Sequence, residues 1–297
     1  MPEPKPRKPS ILLQLDTDPQ PSVFDAVVAA DAGVDHLFRH GNVRPEAVRD
    51  LVYGLLFTRG GDDLKRSAVF VGGSDFEAGE VVLQAVRDTC FGPFQVSVLH
   101  DSKGANTTAA AAVLAVELSL GGPSAWKQAK VAVLGMGPVG RTIARLLVRL
   151  GVTVWFGDPD EARLDQAMDR LDTEGVFEPF RIQADRDWQR TLEGASVIIA
   201  AGPAGVEVLP TITRDRFPHL KAAVDLNAVP PHGLGGTKPT DSDQDRQGVR
   251  VWGALGVGAL KMKIHKAVVR ALFDGEPTVF DVDQVVAIGR QIRAQSL

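Results

Sequence analysis

Lys130-Val-Ala-Val-Leu-Gly-Met-Gly-Pro-Val-Gly140 decides the fold. Five residues, four of them apolar, read as a buried strand. The glycine turn follows at once, and Val139–Leu150 continues as an amphipathic helix. That strand–turn–helix context is what gives a G-x-G-x-x-G pattern meaning. Gly135 permits the tight turn, Gly137 lets the backbone approach a pyrophosphate, and Gly140 lets helix and strand pack closely. The helix N-terminus adds free N–H groups and a positive dipole for phosphates. Gly135, Met136, Gly137, Pro138, Val139 and Gly140 are therefore candidate dinucleotide contacts. The competing reading is a glycine-rich turn with no ligand.

The pattern continues outward on the C-terminal side. Strand Thr153–Phe156 ends at Gly157-Asp158-Pro159-Asp160. Asp158 lies 18 residues beyond Gly140, near the roughly 20 expected for a carboxylate that binds the adenosine ribose hydroxyls. A carboxylate there repels the 2′-phosphate of NADP, so NAD is the expected coenzyme. Arg163, within reach, keeps NADP open as the alternative. Asp158 equally suits the N-cap of the helix beginning near Pro159. A helix Glu161–Leu171, a strand Phe180–Ile182, a short helix near Trp188–Leu192 and strands Ser196–Ala200 and Ala222–Leu226 follow. Ala201, Gly202 and Pro203 after one strand, and Asn227 after another, fall on the expected ligand edge. A loop from Asn227 to Gly248 precedes strand Val249–Trp252. Gly253-Ala-Leu-Gly-Val-Gly258 then opens a helix Val257–Phe273, which makes Gly256 a further coenzyme candidate. Lys261 and His265 share a face of that helix. A solvated cationic face explains them as well as a site does.

N-terminal to the turn the chain alternates strands and helices again: strand Ile11–Leu15, helix Ser22–Ala32, strand Val34–Phe38, helix Pro45–Phe57, strand Ser67–Val71, helix Phe76–Cys90 and strand Phe94–Leu99. An Ala-rich helix, Asn106–Leu120, joins the halves, and a last one runs from Asp281 to Arg293. Such alternation predicts parallel sheets covered on both faces. The expected fold is α/β, with two α/β lobes and an interlobe cleft, the second lobe a Rossmann-type doubly wound parallel sheet. The boundaries read as a disordered tail (1–9), a substrate and oligomerisation lobe (10–104 with 276–297) and a dinucleotide lobe (105–275). Asp16, Asp18, Asp101, Ser102, Asn106 and Thr107 gather at strand ends of the first lobe, where α/β sites form. Helix capping accounts for the same residues.

Composition removes other classes. A net charge of −4 over 297 residues, from 33 basic and 37 acidic side chains, argues against a nucleic-acid partner. One Cys excludes a disulfide framework and Cys-built metal sites. His36 and His40 alone have metal-like i, i+4 spacing, but they span a predicted strand end and not a helix, so no metal is expected. No apolar run approaches the roughly 18 residues that span a bilayer, and no secretory segment opens the chain. A cytoplasmic location is expected.

Taken in order, several stretches resemble the bacterial NAD(P)-dependent methylenetetrahydromethanopterin dehydrogenases. They are Leu15-Asp-Thr-Asp18 through Asp25, Phe70-Val-Gly-Gly73, Phe91-Gly-Pro-Phe94, Asp101-Ser-Lys-Gly-Ala-Asn-Thr-Thr108 on to Ala111, Gly137-Pro-Val-Gly140, Asn227 to Gly236, and Gly253 to His265. The resemblance covers nearly the whole chain. It implies transfer of a hydride from the methylene carbon of the pterin to nicotinamide, giving the methenyl cation in formaldehyde oxidation, and it implies a homotrimer. Family members specific for NADP carry Gly-Arg-Lys where this chain has Gly157-Asp158-Pro159, a departure that also favours NAD. Two alternatives stand beside it: a methylenetetrahydrofolate dehydrogenase, and a non-catalytic NAD(P)-binding sensor.

Oxidising an N–CH2–N carbon to a delocalised cation moves no proton, so no general base is needed. The protein must align two rings and exclude water. A carboxylate near the developing charge helps. The expected arrangement puts Asp16 or Asp18 on the pterin side, His265 among the substrate contacts, and Lys261 on a substrate carbonyl or carboxylate as a positioning group. Lys261→Met is then expected to raise the pterin KM about tenfold or more and to leave the pH–rate profile in place. A pH limb that disappears with KM unchanged would make Lys261 a base.

Overall fold

The computed structural model describes residues 7–173, 182–184, 192–213 and 215–294. The chain divides into two compact units, Met1–Thr107 with Met262–Leu297, and Thr108–Lys261. The first contains β1 (Ile11–Asp16), α1 (Val23–Asp31), β2 (His36–His40), α2 (Pro45–Leu56), β3 (Ser67–Gly72), α3 (Phe76–Thr89) and β4 (Ser97–His100). The chain crosses to the second unit along α4 (Ala105–Ser119). There it forms β5 (Lys130–Leu134), α5 (Pro138–Arg149), β6 (Thr153–Gly157), α6 (Glu161–Thr173), β7 (Ile182–Ala184), β8 (Val197–Ala200), β9 (Ala222–Asp225), β10 (Gln244–Arg246) and β11 (Val249–Trp252). It returns along α7 (Ala254–Ala271) and ends with β12 (Val279–Phe280) and α8 (Val282–Ala294). The expected short helix near Trp188–Leu192, apart from Leu192, lies outside the described residues.

The first sheet runs β12-β4-β3-β1-β2, every pair parallel. β1 and β3 are central and almost wholly buried, which matches their near-continuous apolar sequence. β2 is the edge and largely exposed. It starts two residues later than its sequence suggests, because His36 N–H bonds the Ser10 carbonyl and Ile11 registers with His36. β4 is shorter than expected. Phe91 and Phe94 bond each other's backbones in a turn, so pairing resumes only at Ser97. Ser22 caps α1 by accepting from Asp25 N–H, and Asp75 caps α3 by accepting from Ala78 N–H.

The second sheet runs β10-β11-β9-β8-β5-β6-β7, parallel except for β10. Without β10 the order is that of a doubly wound dinucleotide fold, whose switch point lies between β5 and β8. Residues 109–116 of α4 are all buried, which explains why this Ala-rich helix has no polar face. The expected α7 begins at Val257; the actual helix begins at Ala254. Gly256 and Gly258 are thus inside the helix, and only Gly253 is in the turn. His265 belongs to the first unit, whereas its sequence position suggests the second lobe.

β10 falls in what reads as a loop, and two ion pairs hold it there. Arg246 grips Asp241 with two bonds of 2.6 and 2.5 Å, and Arg250 grips Asp243 in the same way. Asp243 also accepts from Ser119 at 2.6 Å, whose oxygen accepts from Trp252 Nε1 at 2.9 Å. Burial alone would raise both carboxyls. The arginine bonds, with Lys238 N–H on Asp241 and the Ser119 hydroxyl on Asp243, overcome it and hold both below the ordinary aspartate range. Depressed folded-state values mean stability that is present above the unfolded value, near 3.9, and lost as pH falls through the folded one. Asp241→Asn is expected to cost about 1–3 kcal/mol at neutral pH. Denaturant titrations should show that deficit shrinking as pH falls below about 4.

Candidate active site

At the carboxyl end of β5 three backbones meet. Gly135 has φ +98°, and a side chain there would stand 2.7 Å from Gly202 N and 2.8 Å from Ala201 O. A methyl on Gly140 would overlap the Gly135 carbonyl oxygen. Both glycines are therefore required by packing. Gly137 differs: nothing lies within 4 Å of where its side chain would be. Its φ of −66° is open to any residue, so steric room beside the backbone is what glycine contributes. Pro138 occupies the first position of α5, where no intrahelical N–H is lost. The residues present fit a dinucleotide phosphate: an open backbone face lies at a helix N-terminus.

Asp158 follows β6 and is 2% exposed. One carboxylate oxygen accepts from Met136 N–H at 2.8 Å and the other from Asp160 N–H at 3.0 Å. The Met136 side chain is fully buried, so its role at the site runs through this backbone bond. Arg163 lies over the same carboxylate at 3.3 Å and over Asp160 at 3.3 Å. Asp158 thus ties the β5 turn to the β6 end.

β9 ends in the same manner. Asp225 accepts from Asn227 N–H at 3.0 Å, from Leu234 N–H at 2.9 Å and from the Thr237 hydroxyl at 3.0 Å. Asn227 accepts from Gly205 and Val229 N–H and donates to the Pro231 carbonyl. It binds the 200–205 and 229–231 loops together, with Gly202 and Pro203 in the first of them. Sequence reading does not single out Thr237, because its partner is twelve residues away with no periodic signal between. Gly256 serves packing: a methyl there would overlap the Asp241 carbonyl. Its bare face meets protein backbone instead of open space.

The first-unit candidates gather at the ends of β1, β3 and β4, all buried except Asp18, which is half-buried. Asp16, fully buried, accepts from Asp18 N–H and Ser22 N–H at 3.0 Å each. Asp18 accepts from Ser74 N–H at 3.0 Å and its hydroxyl at 2.8 Å. Asp101 accepts from Thr107 N–H at 2.9 Å and its hydroxyl at 2.6 Å. The expected Asn/Thr cap of α4 is therefore supplied by Asp101, because Asn106 turns its amide to the His100 carbonyl at 2.7 Å. Ser102 is sealed off, donating to Gly72 O at 3.2 Å, with α3 pressed close at Gly79. His265 is 1% exposed and stacks on Phe70, ring centres 5.9 Å apart, with Phe24 at 6.4 Å. Lys261 is half-buried on α7.

The strand order and glycine turn define a Rossmann-type dehydrogenase module coupled to a second α/β unit. Residues 23–103 match the family described as methylene-tetrahydromethanopterin dehydrogenase, N-terminal, and residues 130–196 match the NAD binding domain of 3-hydroxyacyl-CoA dehydrogenase. The bifunctional protein MdtA of Methylorubrum extorquens is 39% identical over 289 residues, covering 95% of this chain and 98% of that one. The NAD(P)-dependent methylenetetrahydromethanopterin dehydrogenase of the same organism is 29% identical, over 92% and 95%. In fold alone, shikimate dehydrogenase from Aquifex aeolicus is similar, with a TM-score of 0.50 at 13% identity over 95% of this chain and 98% of that one. The chain belongs to the methylenetetrahydromethanopterin dehydrogenase family.

The two kinds of glycine separate experimentally. Gly140→Ala is expected to destabilise the protein by about 1–3 kcal/mol through overpacking. Gly137→Ala should leave thermal stability unchanged and lower NADH affinity, read by coenzyme fluorescence.

Proposed function

We propose that the protein oxidises methylenetetrahydromethanopterin, delivering the hydride to NAD and leaving the methenyl cation. The observation that carries this reading is the match over residues 23–103. That segment carries the family's own match, whereas a Rossmann module is common to many dehydrogenases. Bound coenzyme supplies the hydride-accepting ring; the protein binds, orients and keeps water away.

The spent carboxylates suit such a reaction. Asp16 and Asp18 have their oxygens engaged by backbone and serine donors. Each is a charge held in one place, and fixed negative charge stabilises a cation forming nearby without reorganisation. The substrate-side loops hang from these residues and from Asp101, Asn106 and Thr107, so we assign the pterin to that edge of the first sheet. Ser102 supports that edge from within. Lys261 positions a substrate oxygen. We further assign NAD as the preferred coenzyme, on Asp158, and a homotrimer working in the cytoplasm; among the described residues no helix is long and apolar enough to cross a membrane.

One assay tests the reading: each of two carriers, methylenetetrahydromethanopterin and methylenetetrahydrofolate, against NAD and NADP, followed by NAD(P)H absorbance. The expected result is the highest kcat/KM with the methanopterin carrier and NAD. Faster turnover of the folate carrier would reassign the substrate. Coenzyme binding without turnover of either carrier would make the chain a sensor.

A further inference from the structure

Arg163 is placed against the usual rule for its position. With Asp160 capping α6 through Arg163 N–H at 3.1 Å, Arg163 stands in the first turn, where the helix dipole favours acidic side chains. Its guanidinium spans two carboxylates, with Nη1 3.3 Å from Asp158 Oδ1 and Nη2 3.3 Å from Asp160 Oδ2. The Asp158 side chain is 1% exposed, whereas those of Arg163 and Asp160 are 45% and 48% exposed. A buried anchor is therefore covered by a solvent-facing cation. Both Asp158 oxygens already accept backbone N–H bonds. Asp158 does not need Arg163 to keep its place, and the guanidinium can leave without stranding a buried charge.

We propose that Arg163 is the coenzyme-selecting side chain of this site, resting on Asp158 and Asp160 and turning to the 2′-phosphate when the coenzyme carries one. This rests on the reading that the end of β6 receives the adenosine ribose. With NAD, Asp158 keeps its charge for the ribose hydroxyls. With NADP, the phosphate offers Arg163 a bidentate anionic partner stronger than an exposed carboxylate. The same residues then accept both coenzymes, with Asp158 opposing the second and Arg163 admitting it. Asp160 competes with the phosphate for Arg163, so it tunes the balance.

Equilibrium binding of NADH and NADPH, read by coenzyme fluorescence on the full chain, tests the assignment without turnover. Arg163→Gln is expected to weaken NADPH about tenfold or more and to leave NADH within about twofold. Arg163→Lys should retain most of the NADPH affinity. In the unaltered protein the NADPH-to-NADH affinity ratio should fall with added salt, and in Arg163→Gln that fall should be lost. Asp160→Asn should raise NADPH affinity. Unchanged NADPH binding in Arg163→Gln, or equal loss of both coenzymes, would overturn the assignment while the site stands. Failure of the unaltered protein to bind either coenzyme would overturn the site and the assignment together.

Discussion

Three aspartates end parallel strands with their carboxylates turned back on the chain, and the loops at both sheet edges hang from them. Asp16 at the end of β1, Asp158 just after β6 and Asp225 at the end of β9 each accept the N–H of the residue two places on. Each also accepts a more distant N–H: Ser22, Met136 and Leu234 respectively. A buried carboxylate left without donors would cost several kcal/mol, and a hydrogen bond to a charged group returns about 1.5–3 kcal/mol. Each loop is thereby held to one conformation. At β6 the clamp that fastens the glycine turn is also the group proposed to receive the ribose.

The glycine crossing at β5, α5 and β8 depends on that fastening. Backbone replaces side chain at Gly135 and Gly140, so the helix N-terminus is drawn to the sheet edge and aimed along it. Gly137 is left with open space where its neighbours have none. The first unit uses the same economy differently. Its carboxylates Asp16, Asp18 and Asp101 are tied to loops by hydrogen bonds. That suits a hydride transfer that moves no proton, where geometry and fixed charge count for more than titration.

How much of this was legible from the chain varies with the range of the forces involved. The strand–turn–helix at residues 130–149 reads directly, since apolar periodicity and glycine spacing are local signals. So does Ser22 at the start of α1. The errors cluster where distant residues decide. α7 starts three residues early because Gly256 packs on the Asp241 carbonyl, and β10 exists because Arg246 and Arg250 find Asp241 and Asp243. Asn106 resembles a cap by composition, yet Asp101 takes the role.

By itself, then, the sequence determined the class: two α/β halves, a dinucleotide turn, and a family whose motifs run in order along the chain. Periodicity and short spacing carry that information, because secondary structure answers to neighbours within a few residues. Tertiary structure alone decided what each polar residue does. Asp158 as a clamp, Arg163 resting across two carboxylates, Gly256 as a packing contact and Ser102 sealed beneath α3 all follow from chain segments meeting in space. Burial then forces every polar atom to find whichever partner the fold has brought near.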